Sequence, residues 1–231
     1  MKAIAGGATT AAQVGGLLGK TKEELEPIVD RLVAMGYVDE RVNLFPPFTY
    51  VLRLRDPVIR FHYAVVEPAL QLLRGNSGGP LEAWRGMAAQ FRSQVVGPAF
   101  EDVVAHSAMR MLYNRDIKIG NNGWTVVHDP QTAKNHEVDL VGLEPFASAL
   151  NKKSPVVVIG EAKATRRPRE LKDLQRLRRI RELLAKERPA DDAKLVLFSL
   201  YGFSDALLEE AADRSDEVVL FGLDDLFEWK D

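Results

Sequence analysis

The succession of apolar patterns in the second half of the chain most limits the folds open to it. Three short runs rich in β-branched residues, with turn residues between them, occupy positions 124–127, 137–141 and 156–159. An amphipathic helix is predicted over residues 169–186, because leucine and isoleucine recur there at helical spacing. Strand, helix and strand patterns then follow at 195–200, 204–212 and 218–221. This order predicts an α/β fold with a mixed sheet.

The first part of the chain is predicted to form a winged helix-turn-helix. A short helix over Ala11–Leu18 is followed by Gly19 and by a second helix that ends near Met35. Two strand patterns, at 37–44 and 48–54, flank a pair of prolines and predict the hairpin of the wing. Acidic side chains crowd the second helix, which favours a packing or protein-contact role for it over insertion into DNA.

A segment rich in glycine, from Gly75 to Pro80, predicts a linker between two domains. We place the winged helix-turn-helix and its following helix at residues 1–75, and the mixed-sheet domain at residues 76–231. The second domain is expected to open with a helix over residues 81–113, interrupted at Gly97-Pro98.

The composition excludes several kinds of site. The chain has 231 residues and no cysteine, which excludes disulfides, thiolate catalysis and cysteine-based zinc sites, and favours a cytoplasmic location. Its four histidines lack the spacing that places two imidazoles on one face of a helix. No apolar run approaches the roughly 20 residues that a membrane helix needs, so no membrane association is expected.

The charges are distributed unevenly around a formal net charge of -2. Residues 166–188 contain ten lysines or arginines against four acids, whereas residues 205–231 contain ten acids against two basic residues. The basic segment is either a surface that faces phosphates or a solvated helix face, and the sequence leaves both open. The candidate nucleic-acid contacts are Arg166, Arg167, Arg169, Lys172 and Arg176.

Asp139, Glu161 and Lys163 form the constellation with the clearest chemistry. Asp139 lies within one predicted strand, and Glu161 and Lys163 lie at the end of the next, where alternation points both to the same side. Carboxylate oxygens suit Mg²⁺ or Mn²⁺ in phosphodiester hydrolysis, and a lysine stabilises the negative charge of the transition state. Glu101, on the preceding helix, would supply a further ligand or hold a metal-bound water. The alternative is structural, with Lys163 as the ion-pair partner of two strand-end acids.

Three segments that contain these residues resemble the successive motifs of PD-(D/E)XK nuclease-like domains. They are residues 97–101, 136–141 and 157–163. Residues 53–63 resemble the stretch after the winged helix in archaeal-type P-loop ATPases, whose C-terminal region carries such a nuclease-like domain. Together the resemblance covers most of the chain.

The resemblance implies a restriction-endonuclease-like fold in which Glu101, Asp139, Glu161 and Lys163 take the places of the helix acid, the central acid, the final acid and the lysine. It further implies Mg²⁺ or Mn²⁺ as cofactor and DNA as partner. The ATPase module of the family is missing, and Val14 stands where a P-loop requires glycine, so ATP hydrolysis is not expected. An ATPase partner, an ATPase domain on a longer chain and a homodimer all stay open.

Nuclease-like domains of this kind also serve as binding or regulatory pieces. Two hypotheses therefore follow from the sequence. The first is a metal-dependent DNA endonuclease, and the second is a non-catalytic DNA-binding or protein-interaction module that regulates a P-loop ATPase.

Overall fold

The computed structural model of the protein describes residues 1–74 and 79–227. The chain packs as two compact units. The first unit comprises residues 1–42 and 49–99, and the second comprises residues 43–48 and the chain from Phe100 onward. The domain boundary expected between residues 75 and 76 lies outside the described residues, as does most of the predicted linker, and the first unit continues after it to Ala99.

Helices precede a hairpin in the first unit. The elements are α1 (Lys2–Ala5), α2 (Ala11–Leu18), α3 (Lys22–Ala34), and the antiparallel strands β1 (Val38–Val42) and β2 (Tyr50–Leu54). Thr10 and Thr21 begin α2 and α3, because each exchanges hydrogen bonds with the residue three positions later. Gly19 ends α2 with a φ of 64°, a left-handed conformation that glycine adopts without strain. α2, α3 and the two strands lie where the sequence predicts them, and α1 is an additional helix that the sequence analysis does not predict.

A nine-residue pattern, Phe-x-x-x-Val-Val-x-Pro-Ala, occurs twice in the first unit, at residues 61–69 and 91–99. Each copy contains a π-helical turn, at His62–Val66 and at Arg92–Val96. The first turn lies between α4 (Pro57–Phe61) and α5 (Glu67–Arg74), and the second between α6 (Pro80–Phe91) and α7 (Gly97–Tyr113). The helix expected to break at Gly97-Pro98 therefore continues through a π turn.

The prolines of the two copies explain these wide turns. Pro68 and Pro98 lack an N–H group, and in a regular α-helix the proline ring clashes with the carbonyl four residues earlier. A π turn directly before each proline changes the hydrogen-bond register and removes that conflict. The two copies also pack together, since Phe61 and Phe91 meet edge to face with ring centroids 5.7 Å apart.

The second unit contains a five-stranded mixed sheet. Its strands, in spatial order, are β3 (Asn122–Asp129), β4 (Lys134–Leu143), β5 (Val156–Lys163), β6 (Lys194–Ser199) and β7 (Val218–Phe221). The first three strands are antiparallel, and β5, β6 and β7 are parallel. The helices α8 (Leu171–Ala185) and α9 (Asp205–Asp213) lie within the two crossovers. The α/β class with a mixed sheet is therefore confirmed.

The core of the second unit lies between the sheet and α8. Leu174, Leu177 and Ile180 recur at helical spacing and are completely buried against sheet residues such as Ile159 and Leu195. Each fully buried side chain of this kind stabilises the fold by about 1.5–3 kcal/mol. The pattern predicted from the sequence thus places the basic residues of α8 away from this core. None of the helices in the described part of the chain is long and apolar enough to cross a membrane.

β5 is longer than the run at 156–159 that the sequence predicts, because it continues through Gly160 to Lys163. A Cβ atom on Gly160 would lie 3.3 Å from the Leu140 side chain and 3.3 Å from the Phe198 ring. Glycine therefore allows β4 and β6 to approach β5 closely from both sides. This extension places Glu161 and Lys163 within the strand.

Candidate active site

β4 and β5 bring Asp139 and Glu161 to the same point of the sheet. Leu140 and Gly160 form the last pair between β4 and β5. Asp139 and Glu161 each lie one position beyond that pair. There the Oδ2 atom of Asp139 accepts the backbone N–H of Ala162 at 2.9 Å. The carboxylate replaces a missing backbone partner and is thereby held against the end of β5.

The Asp139 carboxyl keeps its proton to an unusually high pH. Burial is the largest cause, and the negative charges of Glu101, Glu161 and Glu137 add to it, so that the pKa is raised to about 7. The hydrogen bond from Ala162 acts in the opposite direction, because it favours the ionised form. Near neutral pH this carboxyl is therefore stabilised either by a proton or by a cation.

Glu161 is buried, with 3% of its surface exposed, and three cations surround it. The Nζ atom of Lys163 lies 2.9 Å from Oε1, and an Nη atom of Arg176 lies 2.6 Å from the same oxygen. An Nη atom of Arg169 lies 3.1 Å from Oε2. Burial opposes ionisation of Glu161 more than any one neighbour favours it, but the three cations together lower its pKa. Glu161 is therefore ionised, and positive charge exceeds negative charge around it.

Arg169 links the end of β5 to the start of α8. It is 2% exposed, and its Nε atom lies 3.3 Å from Asp173 in the first turn of that helix. Its backbone is held too, because its N–H donates to Gly202 and its carbonyl accepts the N–H of Ser204. These contacts fix the guanidinium against Glu161, so Arg169 positions that carboxylate.

Glu101 lies in α7, directly after the buried Phe100. Its charge contributes to the raised pKa of Asp139, and only burial contributes more. Glu101 and Glu161 therefore both act on Asp139, and α7, β4 and β5 contribute one of these three acids each.

The five basic residues expected to contact DNA divide into two groups. Arg166, Arg167 and Lys172 are exposed. Arg169 is buried, and Arg176 has only 32% of its side chain exposed, because both pair with Glu161. A buried carboxylate without a partner charge is costly, and these two arginines offset that cost. The structure thus leaves three of the five at the surface.

Glu137 also belongs to this acidic group, although the site predicted from the sequence does not contain it. It lies two residues before Asp139 on β4, and its charge helps to raise the pKa of Asp139. Its backbone carbonyl also accepts a hydrogen bond from Arg176 at 2.9 Å. The signal in the sequence was that Glu137 and Asp139 are two residues apart on a strand, so their side chains point to the same face of the sheet.

The donor chemistry of Asp139 and Glu161 fits a hard divalent cation. Both offer carboxylate oxygens, and Asp139 is crowded by other acids, a repulsion that a cation at this point would relieve. Lys163 and Arg176 compete for Oε1 of Glu161. Across residues 1–74 and 79–227, no three acids or histidines are already grouped as a metal site.

The comparisons with known proteins give no relative for this chain. No protein-family model, no curated protein and no solved structure matches it. The arrangement of these side chains is therefore the feature that points to a function.

Proposed function

We propose that the second unit hydrolyses phosphodiester bonds of DNA with Mg²⁺ or Mn²⁺ as cofactor. The observation that carries this proposal is the meeting of Asp139 and Glu161 one position beyond the last pair of β4 and β5, with Lys163 on the same strand. This arrangement resembles that of PD-(D/E)XK domains, and it supports a restriction-endonuclease-like fold for the second unit. The helices and hairpin at the start of the chain would then form a winged helix-turn-helix.

Each side chain of the group has a distinct part in this reaction. Asp139 and Glu161 would hold the cation, and Glu101 would orient a water. A bound divalent cation supplies a more acidic water and neutralises charge on the phosphate oxygens. Lys163, with 45% of its side chain exposed, is the cation that reaches a phosphate and stabilises the charge of the transition state. Arg169 keeps Glu161 ionised and in place.

The exposed basic residues next to β5 suit the flanking phosphates of a DNA strand. Arg166 and Arg167 lie in the segment between β5 and α8, a few residues after Lys163. Lys172, with 71% of its side chain exposed, follows in the first turn of α8. Contacts of this kind fix the position of a nucleic acid without reading its sequence.

Cleavage of supercoiled plasmid in Mg²⁺, in Mn²⁺ and in EDTA tests this function. The wild-type protein should nick DNA only with a metal ion, and Asp139→Asn and Lys163→Ala should lower the rate at least about 100-fold. Glu209→Gln and Lys134→Ala change exposed residues on α9 and β4 and serve as matched controls. Equal nicking by all five proteins would indicate a contaminating nuclease and would refute the proposal.

A non-catalytic module that binds DNA or regulates an ATPase is the second candidate. The observation that favours it is that both oxygens of Glu161 already pair with cations. This candidate predicts that the wild-type protein cleaves nothing with any metal and that Glu161→Gln keeps its DNA or partner binding. Titration with Mn²⁺, followed by electron paramagnetic resonance, separates the two, because only the nuclease takes up the ion in a manner that depends on Asp139.

A further inference from the structure

The end of the sheet opposite the candidate active site contains a second cluster of basic side chains. Lys152 and Lys153 lie just before β5, and Lys186 and Arg188 lie between α8 and β6. Because β5 and β6 are parallel, both segments lie at the edge where these strands begin. The N–H of Val156 donates to the carbonyl of Pro189 at 2.8 Å and ties the two segments together.

These four basic residues line a shallow cleft of about 510 Å³ that is wide open to solvent and also contains Glu187 and Asp191. Within the described chain, no ion pair neutralises any of the four. The arginines in the middle of α8 differ in this respect. Arg178, Arg179 and Arg181 each pair with an acid, namely Glu217, Asp129 and Glu217. The cleft thus keeps an excess of positive charge, whereas acids balance the charges of these three arginines of α8.

Arg188 is the most unusual member of this cluster. It is only 7% exposed, and its guanidinium carbon lies 3.5 Å from the centre of the Phe45 ring, which holds it by a cation–π contact. Its Nε and one Nη atom are buried and have no hydrogen-bond partner among the described residues. Burial lowers its pKa, but a guanidinium keeps its charge at any ordinary pH. Buried donors of a charged group without partners are costly, and an acceptor from outside the chain would offset that cost.

We propose that this cleft binds a phosphate group, with Arg188 as the buried donor and Lys152, Lys153 and Lys186 as the charged rim. The planar guanidinium offers paired N–H groups in a fixed geometry, and these match two oxygens of a phosphate group. The rim lysines attract the anion and leave its remaining oxygens exposed to solvent. The group comes either from free phosphate or from a nucleic-acid strand, and both present the same oxyanion.

This cleft is separate from the candidate active site. β5 has eight residues from Val156 to Lys163, so its two ends are about 23 Å apart along the strand. No small ligand spans that distance, so a phosphate bound at Arg188 does not contact Glu161 or Lys163. The proposal therefore stands whether or not the protein cleaves DNA.

Titration of the full chain with inorganic phosphate in EDTA, at constant ionic strength, tests the proposal. Calorimetry should show one saturable site, and the Nε–H resonance of Arg188 in a ¹H–¹⁵N spectrum should shift with the same dissociation constant. The pair Lys152→Gln/Lys153→Gln should weaken binding about fivefold or more, because both rim charges are lost. Lys118→Gln/Lys134→Gln removes two exposed lysines elsewhere in the same unit and should change the affinity less than twofold.

Arg188→Met should abolish the site, and the rim variant keeps the test valid if that protein does not fold. A short single-stranded oligonucleotide, with and without a terminal phosphate, distinguishes the two sources of the group. Competition between oligonucleotide and phosphate supports a nucleic-acid strand, and binding of phosphate alone supports the free anion. Absence of any shift at Arg188, or equal affinity in the rim and control variants, would overturn the proposal.

Discussion

Asp139 and Glu161 are neighbouring acids with opposite electrostatic environments. Other acids surround Asp139 and raise its pKa to about 7, whereas cations surround Glu161 and lower its pKa. Pairs of titratable groups whose pKa values are driven apart are typical of catalytic sites. In the proposed reaction, Glu161 stays ionised, whereas the charge of Asp139 depends on whether a proton or a metal ion is bound beside it.

The raised pKa of Asp139 predicts how stability depends on pH. An aspartate in the unfolded chain ionises near its ordinary value of 3.8, whereas folded Asp139 ionises near 7, so the folded state binds the proton more tightly. The stability that this group contributes is therefore complete at low pH and is lost as the pH rises through 7. Asp139→Asn should gain about 2.6 kcal/mol relative to wild type between pH 5 and pH 8.

Urea unfolding in EDTA at these two pH values measures that gain. Glu209→Gln, at an exposed position, is the control and should show the same difference from wild type at both values. A constant difference for Asp139→Asn would show that Asp139 ionises normally in the folded protein.

Arg169 should be more important for stability than its exposed neighbour Arg167. Replacing Arg169 by methionine removes a cation from both Glu161 and Asp173. Glu161 is buried, so the loss is costly there. Breaking a buried pair of this kind costs about 3–5 kcal/mol, whereas Arg167→Met should change stability by less than about 0.5 kcal/mol. Chemical denaturation of both variants checks this, and similar midpoints would contradict it.

The sequence predicts which residues meet but not how their charges are balanced. Asp139, Glu161 and Lys163 could be chosen because strand alternation and spacing are local properties. The pairing of Arg169 and Arg176 with Glu161 depends on how the segment after β5 turns back over the sheet, which spacing does not encode. The ten basic residues between positions 166 and 188 therefore indicated a charged surface, although two of the five predicted contacts neutralise a buried acid.

At the scale of elements, Gly160 decides how β5 packs between its neighbours. In Gly160→Ala, the new Cβ would lie 3.3 Å from both Leu140 and Phe198, closer than most contacts in proteins. Overpacking of this kind costs about 1–3 kcal/mol, and it should also displace Glu161, the next residue. Gly123→Ala is the matched control in β3, since its Cβ would meet Leu44 at an ordinary 3.5 Å.

Thermal unfolding of the two alanine variants compares their stability. We expect a lower midpoint for Gly160→Ala and little change for Gly123→Ala. Any loss of cleavage or of metal binding should be confined to the first variant, because only its substitution adjoins the candidate site. Equal effects of the two substitutions would show that β5 accommodates a methyl group without strain.

Helix interruptions illustrate what element prediction misses. Proline at positions 68 and 98 predicts a break, since it removes a hydrogen-bond donor. The structure instead keeps both helices and widens one turn before each proline. The repeated Phe-x-x-x-Val-Val-x-Pro-Ala pattern was the available signal, because packing of Phe61 on Phe91 stabilises helices that proline alone would interrupt.

At the scale of the whole molecule, a net charge of -2 gives no general attraction to DNA. The proposed binding of DNA therefore depends on a few local contacts, so its affinity should change little with salt concentration and each phosphate contact should be separately measurable. Arg166→Ala/Arg167→Ala should reduce the slope of log affinity against log salt by about 1–2, since each lost phosphate contact removes about 0.9. Lys118→Ala/Lys134→Ala should leave the slope unchanged, and an equal reduction in both pairs would remove Arg166 and Arg167 from the interface.

The hydrogen bond from the Ala162 amide to Asp139 provides a natural spectroscopic reporter. Most strand amides donate to a backbone carbonyl, whose charge never changes. This amide donates to a carboxylate that titrates near neutral pH, so its resonance frequency and its rate of hydrogen exchange follow the state of that carboxylate. One assigned peak would therefore register a proton, a cation or a substrate on arrival, without any label at the site.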